Sequence, residues 1–117
     1  MNDKIGSMLF SKVYGCLVSK AERKGRDRSE VDRLTSWLTG YTSEEIRNAE
    51  NTAVTYSEFF SRAPAMNPER LFLKGTICGV RLQDITDPFE RDVRCLDKLV
   101  DELAKGREVE KILERKA

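Results

Sequence analysis

The chain has 117 residues, of which 39% are apolar and 35% are charged. This length supports one domain that buries about two thirds of its unfolded surface, and the composition is not that of a disordered protein. Lys and Arg total 21 against 20 acidic residues, so no net field draws the protein to nucleic acid or to an anionic membrane. We therefore expect residues 1–117 to form a single domain.

Cysteine usage and the lack of a long apolar run indicate the compartment. Cys16, Cys78 and Cys95 are odd in number and form no C-x-x-C pair, as is typical of reduced thiols in a cytosol. No segment approaches the roughly 20 apolar residues of a membrane span, and the first residues lack the apolar core of a secretory signal. We predict a cytoplasmic protein that has no membrane partner.

In chain order, apolar periodicity and capping signals predict four helices before residue 63. The first spans about 11–24, with a later start if Gly15 weakens its first turn. Each of the other three opens with a D/T-x-x-E capping box: Asp27/Glu30, Thr42/Glu45 and Thr55/Glu58. In such a box the side chain of each residue accepts a hydrogen bond from the backbone N–H of the other. Repetition of this signal, with a fourth box at Asp87/Glu90, predicts an all-α fold.

The dominant element is a long amphipathic helix predicted over about 88–105. Asp87 is a suitable N-cap, Pro88 occupies the favoured first helical position, and Gly106 ends the helix. Its apolar stripe consists of Phe89, Val93, Leu96, Leu99, Val100 and Leu103. Each of these side chains stabilises the fold, by about 1.5–3 kcal/mol, only when other elements bury it. We therefore predict a compact bundle of five to seven helices around this one, with a short last helix near residues 109–113.

Two assignments compete for the segment that precedes the long helix. Asn67 followed by Pro68 is typical of an N-cap and the first helical position, and predicts a helix that ends at Gly79. The alternative is a strand over 75–81, because this stretch contains β-branched residues. A lone strand lacks a partner, so we expect the helix.

No pattern in the sequence indicates catalysis. Histidine is absent, which removes the commonest general base and the nucleophilic systems that depend on it. Most acidic side chains lie four residues from a base, the spacing of ion pairs on a solvated helix face. We assign no catalytic residue, no metal ligand and no cofactor, and keep a carboxylate- or Cys-dependent enzyme as an alternative.

Five side chains near helix breaks are candidates for a small binding cleft: Trp37, Tyr41, Asn67, Arg70 and Arg81. Together they would suit an anionic or planar ligand. The simpler interpretation, which we prefer, has Trp37 in the core, Asn67 as a cap and the arginine stems covering apolar surface.

Two features favour nucleic-acid binding, and neither is strong enough to make it the expected function. Residues 34–50 have the outline of a helix-turn-helix, but the helix that would enter the major groove has a net charge of −2, which opposes insertion. Residues 1–28 hold seven bases and three acids, a net charge of +4, and such a segment can contact a polyanion. We keep nucleic-acid binding as an alternative function.

Five motifs carry a resemblance to a known family: WLTGY (37–41), APAMNP (63–68), KGTICGVR (74–81), LDKLVDELAKG (96–106) and EKIL (110–113). Over nearly its whole length the chain resembles the bacterial domain-of-unknown-function family 2200. The resemblance implies a small stand-alone bacterial protein and implies no activity, substrate or catalytic residue. One departure is Gly15, where relatives of this kind are expected to have proline.

We therefore interpret the chain as a small non-enzymatic protein-interaction or ligand-binding module whose protein or small-molecule partner is unidentified. We also expect a homodimer, because the stripe of the 88–105 helix is wider than one neighbouring helix covers. The alternative is a monomer in which residues 107–117 fold back over that stripe.

Overall fold

The computed structural model describes residues 4–73, 75–77 and 79–114, and α-helices make up most of this part of the chain. The helices are α1 (Lys4–Ser7), α2 (Phe10–Glu22), α3 (Arg28–Thr39), α4 (Ser43–Glu50), α5 (Tyr56–Ser61), α6 (Pro88–Ala104) and α7 (Val109–Ile112). A two-stranded hairpin, β1 (Thr76–Ile77) with β2 (Val80–Arg81), lies between two 3₁₀ helices, Pro68–Phe72 and Leu82–Asp84. The predicted all-α class is confirmed, and the hairpin is a minor addition.

Side-chain caps start four of the helices where the sequence predicts them. Reciprocal capping boxes are present at Asp27/Glu30, Thr42/Glu45 and Thr55/Glu58. At α6, the Glu90 N–H donates to Asp87 Oδ2 at 2.8 Å. Helix α2 begins at Phe10 without a side-chain cap, so Gly15 does not delay its start. The short helix α1 has neither a cap nor an apolar stripe in the sequence, which is why it was not predicted.

Helix α6 lies at the centre of the fold, and its stripe forms the middle of the core. Val93, Leu96, Leu99, Val100 and Leu103 are each at most 1% exposed. Helices α2, α3, α5 and α7, together with β1, pack against it. Aromatic rings continue the core beneath α2 and α5, where Phe10 stacks on Phe59 with ring centroids 3.9 Å apart.

Helix α7 covers the end of the α6 stripe within the same chain. Val109 and Ile112 are 2% and 3% exposed and belong to the core cluster. An ion pair of 3.0 Å between Arg33 and Glu110 also joins α3 to α7. The stripe that was expected to form a dimer is therefore already buried in one chain. A homodimer stays a prediction, and it requires a different surface.

The helix predicted from Asn67 to Gly79 is wrong. The 3₁₀ helix ends at Phe72, and the chain then forms the hairpin, in which Thr76 pairs with Arg81 and Ile77 with Val80. Gly79 has a φ of +79° in the turn, a conformation that glycine adopts without strain. The alternative of a strand within 75–81 is closer to the structure, because a tight turn gives the strand a partner within the same segment. Cys78 lies outside the described residues.

A buried polar cluster joins α2, α3 and α4. Asp32 is 2% exposed, and its Oδ1 accepts a hydrogen bond of 2.6 Å from the Tyr14 hydroxyl. Arg47 Nη2 lies 3.3 Å from Asp32 Oδ2, and Arg28 Nη2 lies 3.6 Å from Oδ1. Arg28 also pairs with Glu50 at 2.5 Å. Burial, followed by the contact with Asp32, raises the pKa of Tyr14 well above its usual value, so the phenol stays a donor to the carboxylate.

Truncation of the α6 stripe should unfold the protein readily. Leu96→Ala and Leu99→Ala are each expected to lower the free energy of unfolding by about 2–5 kcal/mol, because both side chains are buried and leave a cavity. Urea melts measure the change. Leu71→Ala is the control, since Leu71 is 53% exposed and its loss should change stability by no more than about 0.5 kcal/mol. Losses below about 1 kcal/mol at both stripe positions would contradict this description of the core.

Two buried tyrosines should respond in opposite ways to loss of the hydroxyl. Tyr14→Phe is expected to lower the free energy of unfolding by about 1–3 kcal/mol, because Asp32 then loses its shortest hydrogen bond. The Tyr56 hydroxyl is buried and has no hydrogen-bond partner among the described residues. Tyr56→Phe should therefore be neutral or stabilising by up to about 1 kcal/mol. If urea melts showed that Tyr14→Phe and Tyr56→Phe lower the free energy of unfolding equally, the hydrogen bond from Tyr14 to Asp32 would not have the stabilising role described here.

Candidate functional site

An irregular segment, which we call the strap (residues 67–73, 75–77 and 79–85), crosses one face of α6. Three α6 side chains, spaced four and three residues apart, donate to carbonyl oxygens of the strap: Arg91 to Leu71 at 3.1 Å, Cys95 to Arg70 at 4.0 Å and Lys98 to Thr76 at 3.4 Å. Carbonyl groups outside regular structure need such partners when they are turned away from water. The helix thus holds the strap by its backbone and leaves several strap side chains free to face solvent.

Two adjacent large side chains of the strap point into solvent. Leu71 is 53% exposed and Phe72 is 50% exposed, more than any other large apolar side chain among the described residues. The next residue, Leu73, is buried at 6% exposure and anchors the strap to the core. A leucine and a phenylalanine side by side form a small exposed apolar patch.

A small cavity opens between α5 and the start of α6. Its volume is about 200 Å³, and its lining residues are Ser57, Phe60, Ser61, Phe89 and Asp92. The rings of Phe60 and Phe89 meet edge to face, with centroids 6.0 Å apart and planes at 75°. Gly6 of α1 lies at the other side, where an added Cβ would come within 3.3 Å of Phe89 Cε2. An apolar cavity of about 150 Å³ accepts a benzene molecule, so this one has room for an aromatic ring.

An ion pair joins the cavity to the strap. Arg70 Nε lies 2.9 Å from Asp92 Oδ1, and the two side chains are 21% and 15% exposed. Arg70 Nη1 also donates to the carbonyl of Asn67 at 2.9 Å. This ion pair connects the cavity wall to the strap at the residue that precedes the exposed pair Leu71–Phe72. We call the exposed pair together with the five cavity residues the apolar face.

Two of the five predicted site residues belong to this region. Asn67 and Arg70 contact each other, and Asn67 Oδ1 caps the 3₁₀ helix by accepting from the Glu69 N–H at 2.9 Å. The Asn67 N–H donates to the Leu38 carbonyl at 2.9 Å, which ties the start of the strap to the end of α3. Both side chains thus hold the apolar face in position from beneath.

The other three predicted residues lie apart from this face. Trp37 is partly buried against the core. The Tyr41 hydroxyl donates to the Phe59 carbonyl at 2.6 Å, and the two rings stack with centroids 4.4 Å apart. Arg81 is exposed on β2 and pairs with Asp84 at 2.9 Å. None of the five lines the cavity described above, and ligand binding by them stays a prediction.

The residues that line the apolar face were assigned to other roles in the sequence analysis. Phe89 was placed in the core stripe of α6, and Leu71 and Phe72 were placed on the helix predicted over 67–79. The sequence contained one indication against a long helix here. Phe72 comes shortly after Pro68, and its position does not fit a helical apolar repeat that runs on to Gly79. No local pattern indicates that Ser61 and Asp92 meet at one cavity.

Some of the bases that could attract nucleic acid are paired with acids of the same chain. Of the seven bases in segment 1–28, Lys20, Arg26 and Arg28 form ion pairs with Asp101, Glu30 and Glu50. In α4, Arg47 is engaged by Asp32 and Glu50. The positive charge of these four side chains is compensated within the fold, which reduces the field that they present to a polyanion.

Chemistry at the thiols and acids is restricted by their surroundings. Cys95 is fully buried, and burial, followed by the nearby Asp92 carboxylate, raises the pKa of its thiol to about 11. A thiol with this pKa is protonated at neutral pH and is a poor nucleophile. Cys16 is exposed. Among the described residues, no three acidic or cysteine side chains are grouped so that they could hold a metal ion. None of the described helices combines the length and the apolar character that crossing a bilayer requires.

The fold is that of a small, mostly helical protein, and the comparisons with known proteins place it in a family. The chain belongs to the DUF2200 family of uncharacterised proteins conserved in bacteria, which matches residues 4–114. The predicted family is thereby confirmed. The crystal structure of the uncharacterized protein SP1917 is similar, with a TM-score of 0.94 and 43% identity, over 99% of this chain and 98% of that one. None of the curated proteins matches. Neither the family nor this structure has an assigned function.

The two described cysteines should differ sharply in alkylation. At neutral pH, iodoacetamide is expected to modify Cys16 and to leave Cys95 unmodified, because burial keeps the Cys95 thiol protonated and inaccessible. Mass spectrometry of the digested protein measures the extent at each site. In urea above the unfolding transition both should react, which serves as the control. Rapid modification of Cys95 in the folded protein would contradict its burial, and Cys95 would again be a candidate nucleophile.

Proposed function

We propose that this protein is a cytoplasmic, non-enzymatic interaction module whose apolar face receives an aromatic side chain of a protein partner. The observation that carries the proposal is the half-exposed pair Leu71 and Phe72, which directly follows Arg70, whose ion pair with Asp92 reaches the wall of a cavity that also contains Phe60 and Phe89. The free thiols of Cys16 and Cys95 support a reducing compartment.

The chemistry of the cavity favours an aromatic ring as its occupant. Phe60 and Phe89 offer ring faces and edges, and aromatic rings gain about 0.5–1.5 kcal/mol from such contacts in addition to the burial of their area. Ser57, Ser61 and Asp92 form a polar rim. A buried aromatic anchor with a polar rim around it is the usual arrangement of an energetic centre in a protein interface.

The size of the cavity favours a side chain over a free small molecule. Sites for small molecules commonly measure about 300–1,000 Å³ and enclose most of the ligand, whereas this cavity is about 200 Å³. A single side chain that enters from a partner leaves its backbone outside. In this arrangement Leu71 and Phe72 contact the partner's surface around the inserted side chain, and so add apolar contact area that the cavity alone does not provide.

A soluble mimic of a phenylalanine side chain tests the proposal. Toluene titrated into the ¹⁵N-labelled protein should produce saturable shifts of the amides of Phe60, Ser61 and Phe89, with a dissociation constant of about 1 mM, as expected for a fragment of this size. Ser61→Trp places an indole at the opening and should abolish the shifts, and Ser57→Trp is a second variant of the same design.

The matched control is Val80→Ala, which removes an exposed apolar side chain of the strap outside the cavity and should leave toluene binding unchanged. Shifts that spread over the whole core, or no saturable shift at the cavity amides, would overturn the proposal. Circular dichroism of each variant confirms that it is folded before the titration.

A further inference from the structure

The acidic residue of the cavity wall has hydrogen-bonding capacity that the chain does not use. Asp92 lines the cavity, its side chain is 15% exposed, and its Oδ1 accepts a hydrogen bond of 2.9 Å from Arg70 Nε. Its Oδ2 accepts no hydrogen bond from the described part of the chain. A carboxylate can accept at both oxygens and donates nothing. A molecule that closes the cavity over Asp92 therefore has to bring a donor, or leave this oxygen without the water that it had before.

The two serines of the same wall differ in the bonds they already make. The Ser61 hydroxyl donates to the Glu58 carbonyl at 3.2 Å, so its proton is engaged. Ser57 is exposed, and its hydroxyl forms no hydrogen bond with the described residues. A Cβ added at Gly6 would lie 3.5 Å from Ser57 Cβ and 3.3 Å from Phe89 Cε2, so Ser57 lies close to this aromatic wall. The cavity wall thus contains an acceptor at Asp92 and a hydroxyl at Ser57 that is available to donate.

This polar wall indicates which aromatic side chain the cavity receives, and the step rests on the proposed function. We infer that the partner's anchor is a tyrosine. Its ring packs against Phe60 and Phe89, and its hydroxyl donates to the Asp92 carboxylate and accepts from Ser57. A phenol hydroxyl is both a donor and an acceptor and keeps its proton at neutral pH, because its pKa is about 10. Of the aromatic side chains, this one matches the walls in apolar surface and in hydrogen bonds.

Phenylalanine and tryptophan match the wall less well. A phenylalanine ring would cover Asp92 and supply no donor, and a buried acceptor without a partner opposes binding. Tryptophan donates through its indole N–H but has no oxygen to accept from Ser57.

A cationic anchor is also a weaker match. Aromatic rings together with a carboxylate can hold an ammonium group, but the charge of Asp92 is already compensated by Arg70 within the chain. A second cation at the cavity would lie near the Arg70 guanidinium group and would be repelled by it. The wall therefore favours a neutral donor.

Four ring compounds of similar size, titrated into the ¹⁵N-labelled full chain, test the tyrosine assignment. Toluene has no polar group, p-cresol adds a hydroxyl, 4-methylanisole has the same oxygen without the proton, and benzylamine is a cation. The amide shifts of Phe60, Ser61 and Phe89 report binding. We expect p-cresol to bind at least about fivefold more tightly than toluene or 4-methylanisole, because it alone donates a neutral hydrogen bond to Asp92. Benzylamine should bind no more tightly than toluene.

Two variants assign the hydrogen bonds, and the ratio of the toluene and p-cresol dissociation constants is the measured quantity. Asp92→Asn should lower the preference for p-cresol at least about threefold, because an amide oxygen is a weaker acceptor than a carboxylate. Toluene binding by the same variant shows whether the cavity survives the weaker contact with Arg70. Ser57→Ala, at an exposed position, should lower the preference about twofold without touching this ion pair. Val80→Ala is the matched control and should leave the ratio unchanged.

The outcomes separate this inference from the proposed function. If toluene binds and p-cresol binds no more tightly, the tyrosine assignment is overturned and an aromatic anchor without a hydroxyl remains. If benzylamine binds more tightly than p-cresol, the anchor is cationic and the inference is wrong. An unchanged ratio in both Asp92→Asn and Ser57→Ala would also overturn it. If none of the four compounds binds at the cavity, the inference and the proposed function both fail.

Discussion

Burial of the α6 stripe is the constraint on which the rest of the structure depends. A helix of 17 residues with apolar side chains on one face is unstable in water until other elements remove that face from solvent. Helices α2 and α3 do so from one direction and α7 closes the end, while polar side chains of α6 form ion pairs of 3.0 Å at Lys98–Glu102 and at Asp101–Lys105. Because α6 is covered along its length, it is a rigid support for the strap.

The strap shows how a helix can carry a segment that has little regular structure. The 3₁₀ helix and the hairpin contribute few hydrogen bonds of their own, so their stability depends on contacts with α6. Arg91, Cys95 and Lys98 supply these contacts through backbone carbonyls. The Leu71 carbonyl accepts from Arg91 of α6, and the side chains of Leu71 and Phe72 stay about half exposed.

Internal pairing of charges explains why an apolar surface is the best candidate for function. The buried cluster around Asp32 uses Arg28 and Arg47, and the Arg70–Asp92 pair fixes the strap. These guanidinium groups contribute to the fold and are not free to attract an anionic partner. The surface also offers the half-exposed Leu71 and Phe72 and a cavity with aromatic walls, and these apolar groups gain free energy when water leaves them.

The family resemblance noted from five motifs is confirmed, but it adds no chemistry, because the family is uncharacterised. The same is true of the similar crystal structure, which supports the fold over almost the whole chain. The functional argument therefore depends on the geometry of the apolar face.

The sequence by itself determined the elements whose causes are local. The caps at Asp27, Thr42 and Thr55 act over three residues, and the α6 stripe repeats every three or four, so both are visible in the order of amino acids. The tertiary structure decided the strap and the cavity. Whether the segment 67–81 forms a helix depends on the contacts that α6 makes with it. Ser61 and Asp92 line one cavity only because α5 and the start of α6 pack together. Contacts between residues distant in the chain depend on the summed packing of the core, which no local pattern records.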